Sequence, residues 1–455
     1  MRSLLRSEPK KRGLILEILL FSLPLMASNV LQVLFNMADV AVVGRFAGSL
    51  SLAAVGSTTI AVTLFTGILI GFSSGVNALI ARYFGARDEL GLRKAIHTGL
   101  LLCLALGVLI LLFGLFGSRP LLSLLGTKPE LMDKATLYMQ IYFLGMPALA
   151  LFNLGNAVFS AIGNTKKPLL FLSSAGILNV VLNLFFVIVC HLDVAGVAIA
   201  SVVSQYLSAI LIIAALLRSK EIYRVRFSEL RLTVASCREI LLLGIPSAIQ
   251  HGIFYVANLF IQAGVNSFDT VMVAGNSAAA NADGLVYDVM AAFYVACTSF
   301  IGRAYGAGRK REIVKVYWIS LAYSFGIGLL MGLSLVLAGP AFLSLFTTEQ
   351  AVVDAGMKRL LIMGCSYCVS AFMDNAIAAS RGIGRSVVPM FVVIMGSCVF
   401  RIIWVYTVFA YFGTISSLYL LYVFSWSITA LFETVYFFKC LGKEVCIKPR
   451  DAIVS

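Results

Sequence analysis

The chain repeats itself at an almost constant spacing. A shift of 221 residues (383 minus 162) superimposes short matching groups along most of the sequence. The matching pairs are Ile162 and Ile383, Gly163 and Gly384, Pro168 and Pro389, Arg82 and Arg303, and Gly85 and Gly306. Nearer the start the shift is 222 (246 minus 24), where Pro24 meets Pro246 and Asn36 meets Asn258. The pattern predicts a duplicated structural unit, because chance matches do not keep one spacing.

The composition places this duplicated unit in a membrane. Hydrophobic residues make up 60% of the chain, charged residues 12%, and the mean hydropathy is +0.97. Apolar runs of this length span a bilayer, where a helix bundle satisfies every backbone amide. We therefore expect an all-α membrane protein with twelve transmembrane helices. The predicted spans are Leu14–Val43, Ser51–Ala81, Ala95–Gly117, Leu137–Gly163, Leu169–His191, Ala195–Leu217, Ile240–Phe268, Val271–Gly302, Val316–Leu337, Leu360–Gly382, Val387–Phe412 and Ile415–Phe438.

The spacing of the repeat predicts how the two halves are related. Six spans separate each residue from its partner, so both halves keep the same orientation about an axis along the membrane normal. We expect a cytoplasmic tail at 1–13, an N-terminal lobe at 14–217, a cytoplasmic linker at 218–238, a C-terminal lobe at 239–438 and a second tail at 439–455. Two lobes joined by one linker can rock around a shared cleft, as alternating access requires.

The net charge of +14 would suit nucleic-acid binding, but the distribution of the charge favours a topological role. Most of the 35 Lys and Arg residues fall in the tails, the linker and alternate loops, which places both termini in the cytoplasm. The basic residues left over are Arg45, Arg119, Lys128, Lys134, Lys358 and Arg359 on the outer side, with Arg401 inside a helix. We expect a multi-pass protein of a bacterial inner membrane. We expect it to be a monomer that contacts membrane lipid and does not bind nucleic acid.

Asp39 is the principal candidate in the N-terminal lobe, because charged groups within a bilayer are costly and mark function. It stands before Arg45, roughly 9 Å below the outer end of its helix at 1.5 Å per residue. The amides that could join it are Asn36, Asn153, Asn156, Asn179 and Asn183. If they converge on Asp39, they form a proton or Na⁺ site; ordinary hydrogen bonding between helices is the alternative.

The C-terminal lobe has more embedded polar groups, namely Asp283, Asp288, Asp374, His251 and Arg401. Asp288 and Arg401 both lie about 22 Å from the basic ends of their helices, which predicts an ion pair between them. A static pair that joins two helices is the alternative to a transport role. Glu433 lies near a helix end, and we expect it to snorkel to the membrane surface.

Aromatic residues such as Tyr255 and Tyr287 suit a pocket for bulky amphiphilic cations, since aromatic faces attract positive charge. They are also common as packing residues. Cys365 and Cys368 form a CxxC pair on a membrane helix, where small packing residues are the preferred interpretation. The sequence has no phosphate-binding loop and no zinc-protease or hydrolase motif, so we expect no enzyme activity and no cofactor besides a coupling ion.

Several segments together resemble the multidrug and toxic compound extrusion (MATE) family. They are NMADVAVVGRFAG in the first span, ARYFGARDE echoed by GRAYGAGRKRE, and FSAIGNTKKP paired with SRGIGRSVVP. The resemblance covers essentially the whole chain. It implies an antiporter driven by H⁺ or Na⁺ that exports organic cations through a cleft between two lobes. The family's first-span aspartate matches Asp39, and its fifth-span polar pair matches Asn179 and Asn183.

Two departures from the family pattern bear on the coupling ion. Some branches carry an aspartate where Asn183 stands, and others carry a glutamate in the seventh span, which here has no carboxylate. A lipid or polysaccharide flippase of the wider superfamily is the main alternative function. A cleft with more carboxylates than arginines favours cationic or neutral cargo over large anionic headgroups. A symporter of the major-facilitator type and a non-transporting receptor are further alternatives.

Overall fold

The computed structural model describes residues 13–443, and within them the chain forms long helices joined by short loops. The two predicted tails lie almost wholly outside these residues. The helices are α1 (Leu14–Ala47), α2 (Ser49–Ala86), α3 (Glu89–Leu124), α4 (Pro129–Phe143), α5 (Met146–Ala161), α6 (Lys166–Val189), α7 (Asp193–Leu217), α8 (Val234–Val265), α9 (Thr270–Gly306), α10 (Lys310–Leu337), α11 (Gly339–Leu343), α12 (Gln350–Gly382), α13 (Val387–Phe412) and α14 (Ile415–Lys443).

The twelve-span prediction is confirmed if one bent pair is taken as a single span. Eleven of the described helices are long and apolar enough to cross a membrane, and α4 with α5 makes the twelfth. These two helices meet at an angle of 45°, across a break at Leu144 and Gly145. The counterpart α12 runs without interruption, so the bend belongs to one lobe only.

Helix boundaries reproduce the sequence repeat. Four helices of the first lobe begin at residues whose partners, 221 positions later, also begin helices. The pairs of first residues are Ser49 and Thr270, Glu89 and Lys310, Pro129 and Gln350, and Lys166 and Val387. Left-handed backbone recurs too: Gly163 has a φ of 93° and Gly384 a φ of 85°. The duplication is therefore a property of the fold as well as of the sequence.

The two lobes meet closely at one end of the bundle, which we call the basic end. It contains the segments 87–88, 162–165, 218–233, 307–309 and 383–386, where most loop Lys and Arg residues lie. There α2 crosses α8 and α9 through glycines that have no room for a side chain. A Cβ on Gly75 would overlap the backbone of Gly244, and a Cβ on Gly85 would overlap the backbone of Arg303.

The first helix of each lobe packs into the core of the other lobe at the basic end. Ile18 and Phe21 of α1 belong to the buried cluster built mainly from the second lobe. Ile240 and Leu243 of α8 belong to the cluster of the first lobe. These two pairs are related by the shift of 222 (240 minus 18), so the exchange is symmetric. Close van der Waals packing of these side chains therefore contributes to holding this end closed.

Two arginines reinforce this closure reciprocally. The Arg303 guanidinium of α9 lies against Gly163 of the first lobe, and the Arg82 guanidinium of α2 lies against Gly384 of the second. Arg82 also stands over the Tyr305 ring, 5.3 Å from its centroid. Because both glycines have a positive φ, a side chain at either position would be strained and would meet the guanidinium.

Polar residues are exposed at the opposite end of the same helices. Asn36 of α1, Asn258 of α8 and Asn281 of α9 are all exposed. Gly56 of α2 and Gly284 of α9 have no neighbour near the position of a Cβ. The lobes are therefore packed at the basic end and apart at the opposite end, with polar groups along the separation.

Candidate ion and cargo sites

The first site is formed where α1, α6 and α7 meet around Asp39. Asn183 Nδ2 of α6 donates a hydrogen bond to Asp39 Oδ1, and Ser201 Oγ of α7 donates to Asp39 Oδ2 over 3.3 Å. Asn179 completes the network, since its Oδ1 accepts from Asn183 at 3.3 Å and its Nδ2 donates to Ser201 at 3.4 Å. A carboxylate, two amides and a hydroxyl therefore share one small polar centre inside the membrane span.

Local backbone features bring these side chains together. Asp39 precedes a π-helical turn at Val43–Ala47, and Asn183 precedes another at Phe185–Val189. Such turns are frequent at functional sites because they redirect side chains within a helix. Gly176 of α6 leaves space for the Phe35 ring of α1, and a Cβ there would overlap the ring. The two helices therefore approach closely just beside Asp39.

An ion pair closes the outer side of this lobe. Lys134 of α4 donates to Asp193 of α7 at 2.5 Å and to Ser51 of α2 at 2.8 Å. Tyr138 and Tyr142 of α4 stack with a centroid distance of 5.9 Å and lie within electrostatic range of Asp39. The sequence analysis did not identify Ser201 or this cluster, because a hydroxyl or a lysine near a helix end carries little signal by itself.

The predicted convergence on Asp39 is correct for Asn179 and Asn183 and wrong for Asn153 and Asn156. Asn153 Nδ2 is buried without a hydrogen-bond partner among residues 13–443. Asn156 accepts a hydrogen bond of 3.5 Å from Ser160 of its own helix. Both asparagines belong to α5, which packs against α2, α3 and α7. Asn36 is exposed one turn before Asp39.

The C-terminal lobe contains a buried ion pair that the sequence did not predict. Arg359 of α12 pairs with Asp283 of α9, and Tyr367 donates a hydrogen bond to the same carboxylate. Arg359 is only 4% exposed and also donates to Asn276 Oδ1 at 2.8 Å. Sequence analysis placed Arg359 outside the membrane because it began this span at Leu360. The helix begins ten residues earlier, at Gln350.

The predicted ion pair between Asp288 and Arg401 is wrong. Arg401 is 2% exposed and donates to Asn258 Oδ1 at 3.2 Å and to Ser425 Oγ at 3.3 Å. Its guanidinium stands over the Tyr422 ring, 4.8 Å from the centroid. Equal depth along two helices does not fix the directions in which their side chains point. Asp288 instead accepts, through its backbone oxygen, a hydrogen bond of 2.6 Å from Asn29 of α1.

Asp288 and Asp374 are half-buried carboxylates whose side chains form no hydrogen bond or ion pair within the described part of the chain. Tyr287 lies within electrostatic range of Asp374 and Asp283 and makes edge contacts with Tyr367 and Trp426, each at 5.9 Å. The combination offers negative charge beside aromatic rings, which is the chemistry that attracts organic cations.

His251 and Tyr255 lie where α8 crosses α2 rather than in the open part of the separation. His251 Nδ1 donates to Ser247 O at 2.9 Å, and the ring packs against Gly71. The Tyr255 ring covers Gly67. Both residues therefore contact the opposite lobe, so they can respond to the movement of one lobe against the other.

The prediction that Glu433 snorkels at a helix end is also wrong. This side chain is 0% exposed and lies well inside α14. No group of three or more His, Cys, Asp or Glu side chains that could hold a metal ion is found across residues 13–443. Cys365 and Cys368 are both free thiols.

Comparison with known proteins agrees with this architecture. A family model described as MatE matches residues 24–185 and again residues 246–407. The chain belongs to the MATE family. The matched segments are displaced by 222 (246 minus 24), as the sequence repeat requires. Several relatives are named multidrug resistance or multidrug export proteins, and this chain is a multi-pass membrane protein of that transporter family.

Individual relatives show the same pattern over most of their length. The probable multidrug resistance protein YpnP of Bacillus subtilis is 28% identical, over 80% of this chain and 82% of its own. An FAD transporter of Shewanella oneidensis is 25% identical over 73% and 74%. A solved structure described as the outward-facing conformation of a multidrug resistance MATE family transporter superimposes with a TM-score of 0.87. It covers 94% of this chain and 95% of its own at 23% identity, so this MATE family member shares its fold.

Proposed function

We propose that this chain is a secondary active multidrug efflux antiporter that exports amphiphilic organic cations and takes up H⁺ or Na⁺. The observation that carries the proposal is the Asp39 carboxylate within a membrane span, held by Asn183 and Ser201 on two other helices. A carboxylate in that position is costly to keep unless it serves ion transfer.

The contacts of Asp39 suggest how ion binding changes the lobe. Both hydrogen bonds to Asp39 are donated to it, so they are strongest when the carboxylate is ionised. A bound proton or Na⁺ neutralises the carboxylate, weakens these bonds and alters the packing of α1 against α6 and α7. Since Asn29 of α1 also bonds to α9, a movement of α1 reaches the second lobe directly.

The charges along the separation between lobes support a cationic cargo. Asp288, half-buried near the middle of α9, is accessible enough to meet a ligand, whereas Asp283 is already neutralised by Arg359. Cargo and coupling ion would then occupy alternately accessible sites, because the lobes can separate at only one end at a time. The exported drug leaves from the opposite end when the basic end is closed.

Arg401 favours a second candidate, the export of anionic lipids or nucleotides. It is a buried cation that forms no ion pair with a carboxylate within the described residues, and its partners are neutral side chains and aromatic rings. This alternative predicts transport of an anionic cargo and none of ethidium.

The deciding experiment measures ethidium export from proteoliposomes with a pH gradient and a Na⁺ gradient imposed separately. We expect one gradient to drive export and Asp39→Asn to abolish it. Asp133→Asn and Asp354→Asn, which replace exposed carboxylates at repeat-related positions, are the matched controls. Export by neither gradient, with transport of an anionic lipid instead, would overturn the proposal.

We also propose that the basic end faces the cytoplasm of a bacterial inner membrane. The native cysteines allow a direct test, because Cys190 lies in the exposed segment between α6 and α7 whereas Cys237 lies at the basic end. A membrane-impermeant maleimide added to intact spheroplasts is expected to label Cys190 and not Cys237. The reverse labelling would invert the orientation.

A further inference from the structure

Glu433 of α14 is a buried carboxylate that no part of the site above uses. Its side chain is 0% exposed, and neither carboxylate oxygen has a hydrogen-bond partner within residues 13–443. None of the six ion pairs found there includes it. An ionised carboxylate cannot remain in such surroundings without large cost, so the side chain is neutral in this conformation.

The fold does not require a carboxylate at this place. The repeat partner of Glu433 is Ile212 (433 minus 221), which is also 0% exposed and belongs to the apolar core of the first lobe. An aliphatic side chain therefore satisfies the same packing position. Glu433 costs stability that an isoleucine would not, and a functional role accounts for this cost.

The ionisable groups around Glu433 come mainly from one neighbouring helix. Arg381 and Asp374 of α12 are the charged side chains within electrostatic range, and Tyr436 is the nearest on α14 itself. The packed segment 387–400 of α13 contributes no Asp, Glu, Lys, Arg or His. His251 of α8 lies near Arg381 rather than near Glu433. Arg381 is thus the cation within electrostatic range of Glu433, and Arg385 lies within range of Tyr436.

Arg381 connects this carboxylate to the contact between lobes. Its Nη1 donates to Ser74 Oγ of the first lobe at 2.6 Å, and its Nη2 donates to Gln250 Oε1 at 3.0 Å. Its Nε has no partner within the described residues. Ser74 is carried by α2, so separation of the lobes at the basic end removes this acceptor. A buried guanidinium that loses an acceptor must find another.

We propose that Glu433 is a second proton-accepting site of the transport cycle and that Arg381 controls it. With the basic end closed, Arg381 is held by Ser74 and Glu433 carries a proton. When the lobes separate there, Arg381 leaves Ser74 and pairs with the Glu433 carboxylate, and the proton passes to water entering from the basic end. The reverse movement requires Glu433 to take up a proton again.

The proposal selects a proton over Na⁺. A metal ion needs several oxygen ligands, and no such group of side chains surrounds Glu433 within the described residues. The Arg381 guanidinium also repels a metal cation but can replace a departing proton as the counter-charge. The inference rests on the proposed antiport, and it deepens that function by naming a proton-linked gate in the second lobe.

The test follows the opening of the basic end directly. Spin labels at Glu89→Cys and Lys310→Cys, two exposed repeat-related helix starts, report the distance between lobes in a background without native cysteines. The background also carries Asp39→Asn, so that Asp39 does not titrate. We expect the distance to increase as pH rises at constant Na⁺, and to be unchanged by Na⁺ at constant pH.

Glu433→Gln is expected to abolish this pH dependence and to hold the basic end closed. Glu349→Gln, an exposed glutamate of the same lobe, should retain the dependence. A pH response that survives Glu433→Gln overturns the proposal, as does a response to Na⁺ alone. Because no cargo is involved, failure here is distinguishable from failure of ethidium export, which would overturn the proposed function instead.

A second variant keeps the test open if Glu433→Gln does not fold. Ser74→Ala removes the first-lobe acceptor of Arg381 and leaves both charges in place. It should favour the form that is open at the basic end and deprotonated at Glu433. The pH at which the distance between lobes increases should therefore fall, on the order of one pH unit for one hydrogen bond to a charged group. An unchanged transition would contradict the proposal that Arg381 controls the protonation of Glu433.

Infrared difference spectra should show loss of a protonated-carboxyl carbonyl band at high pH, and persistence of this band would also contradict the proposal.

Discussion

The two lobes share one helical frame but differ in most of the charged groups buried within it. The site around Asp39 has no counterpart in the second lobe, where the corresponding positions are apolar or aromatic: Ile261, Phe400, Trp404 and Tyr422 (39 plus 222; 179, 183 and 201 plus 221). Conversely, the charged residues of the second lobe correspond to mostly neutral or apolar residues of the first. These pairs are Asp283 and Val62, Arg359 and Tyr138, Arg381 and Ser160, Arg401 and Val180, and Glu433 and Ile212.

The helical frame therefore does not depend on these charges. Most of the buried charged groups named above stand where the other lobe has an uncharged residue, whereas the buried polar pair Asn77 and Thr298 is kept in both lobes. Buried charge in a membrane helix is kept for function or for a specific pairing. The first lobe has one carboxylate among neutral donors, which suits reversible ion binding. The second has one buried ion pair, Arg359 with Asp283, beside carboxylates that have no ion-pair partner among residues 13–443.

The largest expected effect concerns the ion pair that neutralises the second lobe. Arg359→Met leaves Asp283 buried without a counter-charge and should reduce the free energy of unfolding by about 3–5 kcal/mol. Thermal unfolding in detergent measures the change. Adding Asp283→Asn to Arg359→Met should recover part of the loss, since both charges are then gone. A single variant as stable as the parent would show that the pair is not desolvated.

The closed contact between lobes should be the next most sensitive feature. Gly85→Ala and Gly306→Ala each place a Cβ against the backbone of the opposite helix. Overpacking of about 1–3 kcal/mol should disfavour the closed basic end and slow export about tenfold or more. Gly56→Ala, which meets no neighbour, is the control. Equal transport by all three variants would show that the close crossing of α2 and α9 is not needed to close the basic end.

Removing one hydrogen-bond donor from Asp39 should have a smaller effect on transport. Asn183→Ala deletes a hydrogen bond that favours the ionised carboxylate, at a cost of about 1–3 kcal/mol. For a proton-driven cycle, the pH profile of export should therefore move to higher pH, because the proton-bound form gains. The pH at half-maximal export in proteoliposomes measures the shift. A profile moved to lower pH would show that Asn183 does not stabilise the charge.

The smallest effect is expected at the exposed ion pair of Arg119 and Asp133, whose side chains are 69% and 85% exposed. Asp133→Asn should change stability by less than about 1 kcal/mol, as exposed pairs usually do. Export should be unchanged. The same unfolding and transport assays check both statements, and a marked loss in either would mean that this outer surface takes part in the cycle.

The fold was largely predictable from the sequence, because each contributing signal is local or periodic. Apolar length predicts the spans, and the 221-residue shift predicts the pairing of helices. The missed start of α12 had a signal that could have found it. Pro129 marks the first turn of α4, and adding 221 gives residue 350, where α12 begins.

The sites were less predictable, because they depend on which way side chains point. Asn179 and Asn183 were recognised as partners of Asp39 from spacing and resemblance, and Ser201 was not. Depth along a helix suggested an Asp288–Arg401 pair, yet rotation of α13 directs Arg401 to Asn258. Glu433 was assigned to the surface from its distance to the helix end alone. Only packing reveals that its position is fully buried.

Paired measurements on the Asp39→Asn protein are the most informative, since Asp39 is proposed to couple the ion to export without contacting the cargo. Ethidium export against a gradient and equilibrium ethidium binding should be determined on the same preparation, with Asp133→Asn alongside. We predict that uphill export is lost while binding changes by less than about threefold. Uphill export that persists in Asp39→Asn, or loss of export and binding together, would contradict the account.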